Sequence, residues 1–396
     1  MKKNFFLSIL LLSALVSSLR ASVLKDSVEF SILTCHPSSE IYRMFGHTAI
    51  RYQNFTQKQD VVFNFGTFDF SAPNFLYHFV KGETDYFLAC EDFGQFCMLY
   101  TYLGATVNQQ RLNLDDDEKI RLWNILAENI RPENRTYRYN YFFDNCTTRA
   151  RDRIEDSVEG GVTYDSAADT LSFRQIVHQY TSSAPWYSFG IDMMLGEEAD
   201  RPIAQRQQMF APQYFHDAAN KARKGNGKPL VKSDEPILLG DGVNETSSFP
   251  LPPMQAAWIL FATSLALTGI GIRRGKLFWW WELLLFGLQG AAGVVIAFLF
   301  FISIHPTVGS NWMIGMLNPI PLVMLPLIVY CTIKQRKTYY HAYNAVALVL
   351  FLIVMPCGGQ YFHPAVAPLA LSLLAISGGH LFMAYVPHKK HRNDKT

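Results

Sequence analysis

The chain has 396 residues, enough for two or three domains, and its 35 basic residues nearly balance its 33 acidic ones. This balance gives no indication of a nucleic-acid partner, and none is expected. Residues 25 to 241 are polar, aromatic and charged, as in a soluble domain that can bury its own core, whereas charges almost vanish after Asp241. The sequence therefore predicts a soluble part followed by a membrane part.

The N-terminus predicts export. Lys2 and Lys3 precede an apolar run from Phe5 to Leu19, and the small residue Ala21 follows. This order is typical of a secretory signal, predicted here for residues 1–21. Its cleavage stays open, because Leu19 is large for the third position before a cut after Ala21.

The soluble part contains three predicted strands and three predicted helices. The strands are SVEFSILT from Ser27, HTAIRY from His47 and VVFNFGTF from Val61. One helix follows Asp115, which forms a capping box with Glu118, and another is SFRQIVHQY. Since strands and helices do not alternate regularly, the predicted fold class is α+β.

A further predicted helix begins at Cys146, because Asn145 is a good N-cap and TTRARDRIEDSV continues without Gly or Pro. Unpaired amides and the positive dipole end in the first turn of a helix favour a thiolate over a thiol. The same amides could donate to an oxyanion formed when the thiolate attacks an ester carbonyl. Cys146 is therefore the candidate nucleophile.

His47 is the candidate general base. It follows Gly46 at the start of a predicted strand, where its ring can face a cleft. An imidazole near a thiol accepts its proton and later acts as a general acid or base. Asn64 in VVFNFG is the candidate for the polar group that orients this histidine, with Asp69 behind it.

Other interpretations of Cys146 stay open. A cysteine at a helix start is often a small packed hydrophobe, and in an exported domain Cys146 could instead pair with Cys35, Cys90 or Cys97. If a disulfide forms, Cys90 and Cys97 are the favoured pair. The sequence contains no ligand cluster that resembles a zinc site and no phosphate-binding glycine loop, so no metal or cofactor is expected.

The predicted domains are a soluble domain at 22–222, a linker at 223–253, a membrane domain at 254–387 and a basic tail at 388–396. The linker prediction rests on its Gly, Pro, Ser and charged residues. Five apolar stretches follow, and most are near the roughly 20 residues that cross a bilayer. They are Met254–Ile272, Leu277–Ile304, Met313–Ile333, Tyr343–Pro356 and Ala365–Val386. The fourth reaches that length only if it starts near Tyr340 and runs through Tyr361.

Basic residues predict the orientation of these spans. The loops 273–276 and 334–337 and the tail are rich in Lys and Arg, whereas the alternate loops, 305–312 and 357–364, have neither. The positive-inside rule therefore predicts a cytoplasmic C-terminus and a periplasmic soluble domain. The signal peptide independently requires the same topology.

Polar residues in the spans are costly unless they are paired or face a cavity. Gln289 and His380 are of this kind, whereas Glu282 lies beside tryptophans 279–281, a position that favours an interfacial anchor. In the outer loops, His305 and His363 each precede a proline. Ordinary turn chemistry explains these two steps as well as contact with a lipid headgroup or a lipoprotein does. The candidate substrate contacts are His305, Asn311, His363, Asn145 and Asp69.

Three segments resemble the Lnb-type N-terminal periplasmic domain of Bacteroidota membrane proteins: LTCHPSSEIYRMFGHTAIRY, FNFGTFDF and ENRTYRYNYFFDNCTTRARD. That domain resembles circularly permuted papain-like enzymes of the NlpC/P60 superfamily, in which the histidine strand precedes the cysteine helix. The order of His47 and Cys146 matches this permutation. SFRQIVHQY, PWYSFGIDMMLGEEADR, MFAPQYF and the set of spans also resemble the family.

The resemblance implies an inner-membrane lipoprotein N-acyltransferase. Its partners would be a phospholipid, which donates a fatty acyl chain to Cys146, and a diacylated lipoprotein, whose α-amine accepts that chain. Two alternatives stay open: a periplasmic cysteine amidase or endopeptidase of cell-wall peptides, and a non-enzymatic membrane-anchored binding or assembly factor. Five spans in place of a wall-binding module argue against the first, and a free Cys146 thiol would argue against the second.

Overall fold

The computed structural model describes residues 27–38, 43–165, 170–241 and 249–385. The predicted signal peptide and basic tail lie outside these residues. The chain divides into two units. The sheet unit takes its described residues from 27–75, 83–171 and 203–241, and the helical unit takes its own from 76–82, 172–202 and 249–385.

Antiparallel strands form the centre of the sheet unit. Along the described chain they are β1 Val28–Cys35, β2 His47–Asn54, β3 Gln59–Thr67, β4 Asp85–Asp92, β5 Val107–Leu112, β6 Thr136–Arg138, β7 Val162–Thr163, β8 Arg223–Lys224 and β9 Val231–Leu238. Seven of them form one antiparallel sheet in the order β6-β4-β3-β2-β1-β5-β9. The short strands β7 and β8 pair separately.

Helices account for most of the remaining regular structure. Along the described chain they are α1 Phe75–Lys81, α2 Phe93–Tyr102, α3 Asp116–Asn129, α4 Cys146–Ser157, α5 Phe173–Thr181, α6 Pro185–Met194, α7 Gln205–Gln208, α8 Pro212–Lys221, α9 Pro253–Arg274, α10 Trp279–Phe301, α11 Ile320–Ile333, α12 Tyr340–Val354 and α13 Val366–Tyr385. Antiparallel strands with separate helices confirm the α+β class of the soluble part.

Local sequence signals explain where α3 and α4 begin. Asp115 accepts the amide of Glu118 while the Glu118 carboxylate accepts the amide of Asp115, which is the predicted capping box. Asn145 caps α4, also as predicted. Leu122 of α3 and Ile154 of α4 are fully buried in the core against the sheet, so these helices are held on one face of it.

The predicted linker differs from the structure. Part of it forms β8 and β9, and β9 pairs with β5 along the edge of the large sheet. The strand VKSDEPIL contains Lys232, Asp234, Glu235 and Pro236, which read as linker residues. Charged side chains and proline are also typical of edge strands, where they discourage pairing with another chain.

The helical unit has five helices that are long and apolar enough to cross a membrane, and this confirms the predicted count. The spans are Pro253–Arg274, Trp279–Phe301, Trp312–Ile333, Tyr340–Cys357 and Val366–Ala384. The fourth begins at Tyr340, as predicted, but ends at Cys357, before the predicted end at Tyr361.

The segment 172–202 belongs to the helical unit, although its polar composition places it within the predicted soluble domain at 22–222. Its centre is Arg174, which is almost fully buried and donates to Asp192 and Asp200 at 2.9 and 2.8 Å. Asp200 also accepts the backbone N–H of Tyr361, which lies in the loop before the last span. Composition does not show that 172–202 belongs with the spans, because the charged residues of a buried ion pair are also those of a soluble protein surface.

Candidate active site

The first residues of β2 and α4 are His47 and Cys146, and the structure brings the two together within the sheet unit. The residues that follow them, Thr48 and Thr147, are fully buried, and their hydroxyl oxygens lie 3.1 Å apart in a hydrogen bond. This contact joins the start of the strand to the start of the helix. The imidazole and the thiol therefore meet through two structurally fixed elements, which is the arrangement that the resemblance to permuted papain-like enzymes implies.

Two glycines let the backbone of this site pass close to Cys35 and to Cys146. Gly46 has a φ of 74°, and a Cβ at this position would lie 2.4 Å from the carbonyl oxygen of Cys35. Gly66 in β3 has a φ of 89°, and a Cβ there would lie 3.4 Å from the Cβ of Cys146. Both positions favour glycine because other residues rarely adopt positive φ. These constraints give a physical reason for glycine in the FGH and NFG sequences.

The surroundings of Cys146 favour the thiolate. Burial alone would raise the pKa of the thiol. The charge and hydrogen bond of His47, the Thr48 amide and the Thr147 hydroxyl outweigh this effect and lower the pKa to about 7. For His47, burial lowers the pKa, while the charge and hydrogen bond of Cys146 and the hydrogen bond of Asn64 raise it above its usual range. The two shifts have opposite signs, which is the pattern of a thiolate–imidazolium pair.

A chain of hydrogen bonds orients the imidazole. The Nε2 atom of His47 lies 3.0 Å from Oδ1 of Asn64, and the Asn64 amide donates to the carboxylate of Glu91 on β4. Burial raises the pKa of Glu91 above its usual range, although the charges of His47 and Arg43 partly lower it. The structure places Asn64 in contact with His47, and Glu91 extends this contact to a carboxylate.

Asp69 does not support Asn64, so its predicted place behind that residue is wrong. Its exposed carboxylate accepts the amide and hydroxyl of Ser71 at 2.8 and 2.6 Å. The group at Asn64 is Glu91, which sequence reasoning missed. Asp69 is nearer to Asn64 along the chain, but β4 pairs with β3 and places Ala89 opposite Asn64. The pairing of β3 with β4 determines which carboxylate reaches Asn64, and no short sequence motif predicts that pairing.

The six cysteines all lie in the described part of the chain, and each is a free thiol. The favoured disulfide between Cys90 and Cys97 is therefore absent, with Cys90 on β4 and Cys97 on α2. Cys35 lies opposite His47 in the β1–β2 pairing and is buried, and burial raises its pKa well above the usual range. Cys146 differs from Cys35 because imidazole and hydrogen-bond donors surround it.

Asn145 is buried and uses its side chain entirely within the protein. Its Oδ1 accepts the amides of Thr147 and Thr148, both at 2.9 Å, and its Nδ2 donates to the carbonyls of Tyr141 and Phe210. This residue is a structural cap, so its predicted substrate contact is not supported. The cap also occupies two of the first-turn amides that the sequence suggested as oxyanion donors.

Aromatic side chains extend from the thiol to the surface of the sheet unit. Tyr86 and Tyr139 stack at 4.1 Å, and burial followed by the charge of Cys146 raises the pKa of Tyr86 to about 12. Phe68 stacks on Tyr86 at 4.9 Å and contacts Phe70, which is 64% exposed. We call Phe68, Phe70, Tyr86 and Tyr139 the aromatic wall. Its rings form a continuous stack from the exposed Phe70 to Tyr86 and Tyr139, which lie near Cys146.

The candidate contacts in the outer loops lie in the helical unit. Asn311 is fully buried, donates to the carbonyls of Met193 and Met194, and accepts from Met313 and Gln360, so it has a structural role in place of the predicted lipid contact. The Nε2 atom of His305 lies 2.7 Å from the carbonyl of Phe79. His363 accepts the Ala365 amide on Nδ1, and its substrate contact stays a prediction.

The fold and the site define a membrane protein whose soluble α+β domain contains a cysteine–histidine pair. A model of the Lnb N-terminal periplasmic domain matches residues 16–181, and a model of the Lnb transmembrane domain matches residues 244–387. The chain therefore belongs to the Lnb family, and its N-terminal domain is periplasmic. No curated protein and no solved structure matches the chain significantly.

Proposed function

We propose that this protein is a lipoprotein N-acyltransferase of the inner membrane. Cys146 would transfer a fatty acyl chain from a phospholipid to the α-amine of a diacylglyceryl-cysteine lipoprotein. The observation that supports this most strongly is the pairing of a thiol whose pKa falls to about 7 with His47, in a periplasmic domain joined to five membrane spans. The basic loops of the helical unit support a cytoplasmic C-terminus.

In the first half-reaction, the Cys146 thiolate attacks the carbonyl carbon of a phospholipid ester. The bond from that carbon to the glycerol oxygen breaks, and the His47 imidazolium gives its proton to the leaving oxygen. The products are an acyl thioester on Cys146 and a lysophospholipid. Because Asn145 occupies the amides of Thr147 and Thr148, the N–H of Cys146 itself is the first-turn donor assigned to the oxyanion.

In the second half-reaction, the neutral α-amine of the lipoprotein attacks the thioester carbonyl. The carbon–sulfur bond breaks, Cys146 leaves as a thiolate, and neutral His47 accepts the proton that the amine loses. An amide forms and the thiolate–imidazolium pair is restored. The thioester keeps the activation of the ester that it replaces, so this sequence consumes no nucleotide.

The aromatic wall is the proposed surface for the donor acyl chain. It begins beside the thiol at Tyr86 and Tyr139 and reaches the exposed ring of Phe70. A bound alkyl chain would cover these rings and exclude water from the thioester, which favours attack by the amine over hydrolysis. A cysteine amidase of cell-wall peptides would share the Cys146 and His47 pair. Its polar substrate would gain less than an alkyl chain from contact with apolar rings beside the thiol.

Two variants test this function: Cys146→Ser and His47→Ala, produced in a host that has no other N-acyltransferase. We expect lipoproteins with a free α-amine on mass spectrometry, while both variants still accumulate in the membrane. Cys90→Ser is the matched control, since it removes an exposed thiol of the same domain, and triacylated lipoproteins should persist. Normal triacylation in either site variant would contradict the proposal, and altered wall-peptide cleavage together with that result would favour the amidase.

A further inference from the structure

Three helices of the helical unit bring an acidic residue and two histidines together. Glu282 lies in the first turn of α10, His341 is the second residue of α12, and His380 lies near the end of α13. One carboxylate oxygen and one nitrogen from each ring all lie within 4.8 Å of one another. Glu282 and His341 are each only 1% exposed, so two members of the group are removed from solvent.

Glu282 is not the interfacial anchor that its neighbouring tryptophans suggest. Its Oε1 is hydrogen-bonded to Nε2 of His380, and its Oε2 accepts the Thr332 hydroxyl at 2.5 Å. Thr332 is the penultimate residue of α11, so four helices contribute to the surroundings of one carboxylate. The predicted requirement that polar groups in these spans be paired is met for Glu282 and His380.

His341 has an unusual environment. Its ring stacks on that of His380 with a centroid distance of 3.7 Å and an angle of 6°. Both of its nitrogens are buried and have no hydrogen-bond partner among the residues that the structure describes. A buried polar group without a partner costs stability, so an imidazole in this position points to a ligand that binds it. A simple ion pair between Glu282 and His380 leaves this cost unexplained.

We propose that Glu282, His341 and His380 bind a divalent transition-metal ion of the zinc class. Imidazole nitrogens and a carboxylate oxygen form a usual zinc ligand set, with bonds of about 2.0–2.2 Å. The ion gives His341 a partner and takes a carboxylate oxygen of Glu282 as a ligand. Thr332, which holds the second carboxylate oxygen, orients the ligand from outside the first coordination shell.

Binding requires a local rearrangement. Each nitrogen lone pair lies in the plane of its ring, and two rings that are 6° from parallel do not point at one ion. The rings must therefore turn about their side-chain bonds and unstack as the three ligand atoms approach the ion. The bound ion would then connect α10, α12 and α13 at the end of the unit that carries the basic loops. Ion binding should therefore stabilise the packing of these three helices.

The metal content of the full-length protein tests this proposal. The protein is purified in detergent with a histidine-free affinity tag, washed with a chelator, incubated with zinc and freed from excess metal. We expect one zinc per chain by elemental mass spectrometry. X-ray absorption should show two imidazole nitrogens and a carboxylate oxygen at about 2.0–2.2 Å from zinc. Zinc should also raise the unfolding temperature, since the ion binds the folded state.

The variant His341→Asn, combined with His380→Asn, should lose the zinc, whereas His78→Asn, which removes a histidine outside the group, should retain it. Equal zinc in the wild type and the double variant would overturn the site. If the double variant does not accumulate, X-ray absorption of the zinc-loaded wild type tests the site. Oxygen ligands without imidazole nitrogen around the zinc would also overturn the proposal. These measurements do not depend on acyl transfer, so failure here leaves the role of Cys146 untouched.

Discussion

Removal of the His47 imidazole should change the reactivity of Cys146 in a predictable way. In the wild type the pKa of this thiol is about 7, so about half is thiolate at pH 7. Without His47 the pKa should return at least to its ordinary value of 9.0, because burial raises it, and about 1% would then be thiolate. The more basic thiolate is about six- to tenfold more nucleophilic. His47→Ala should therefore slow reaction with a disulfide reagent at pH 7 by about five- to eightfold.

The assay follows the rate of thiol–disulfide exchange against pH. Cys90, Cys97 and Cys357 are replaced with serine in every protein, since they react from outside the site. The wild-type rate should rise with pH and level off above about 7, whereas the His47→Ala rate should still rise near pH 9. Above that range the variant should react faster than the wild type. His36→Ala is the matched control, because this neighbouring imidazole bonds to Asn108. Identical pH profiles for wild type and His47→Ala would refute the reasoning.

Three further changes have defined outcomes. Asn64→Ala should lower kcat of acyl transfer about tenfold with little change in KM, because His47 loses the hydrogen bond that orients it; steady-state kinetics checks this split. Gly66→Ala should lower the unfolding temperature by about 2–8 °C, because a φ of 89° strains any other residue, and calorimetry with an unchanged value would disprove that strain. Phe70→Ser should raise KM for phospholipid a few-fold and leave kcat nearly unchanged, since its ring lies at the exposed end of the aromatic wall. An unaltered KM would show that the aromatic wall does not bind the donor acyl chain.

Local signals predict much of the sheet unit. The capping residues Asp115 and Asn145 mark the starts of α3 and α4, and the alternation of aromatic and β-branched residues marks the first three strands. Each of these features depends on neighbours within a few positions. Cys146 at a helix start and His47 at a strand start follow from the same short-range chemistry, and so does the count of five spans.

Other features depend on pairings between distant segments. Glu91 reaches Asn64 only because β4 lies beside β3, and β9 joins the sheet although its charges and proline suggest a linker. The Glu282, His341 and His380 group likewise requires the packing of three helices, and no spacing along the chain reveals it. Such contacts are a property of the folded arrangement. The sequence therefore predicts Cys146, His47 and Asn64 as candidates, but it does not predict Glu91 or the buried group in the spans.

The most direct test of the central claim is mass spectrometry of the intact purified protein after incubation with phospholipid. We expect an increase in mass equal to one fatty acyl group, removed by hydroxylamine and absent from Cys146→Ser. Addition of a diacylated lipoprotein peptide should discharge this adduct and give the N-acylated peptide. An acyl group that persists in Cys146→Ser, or a peptide that is acylated without any thiol adduct in a protein fully alkylated at Cys146, would contradict the account.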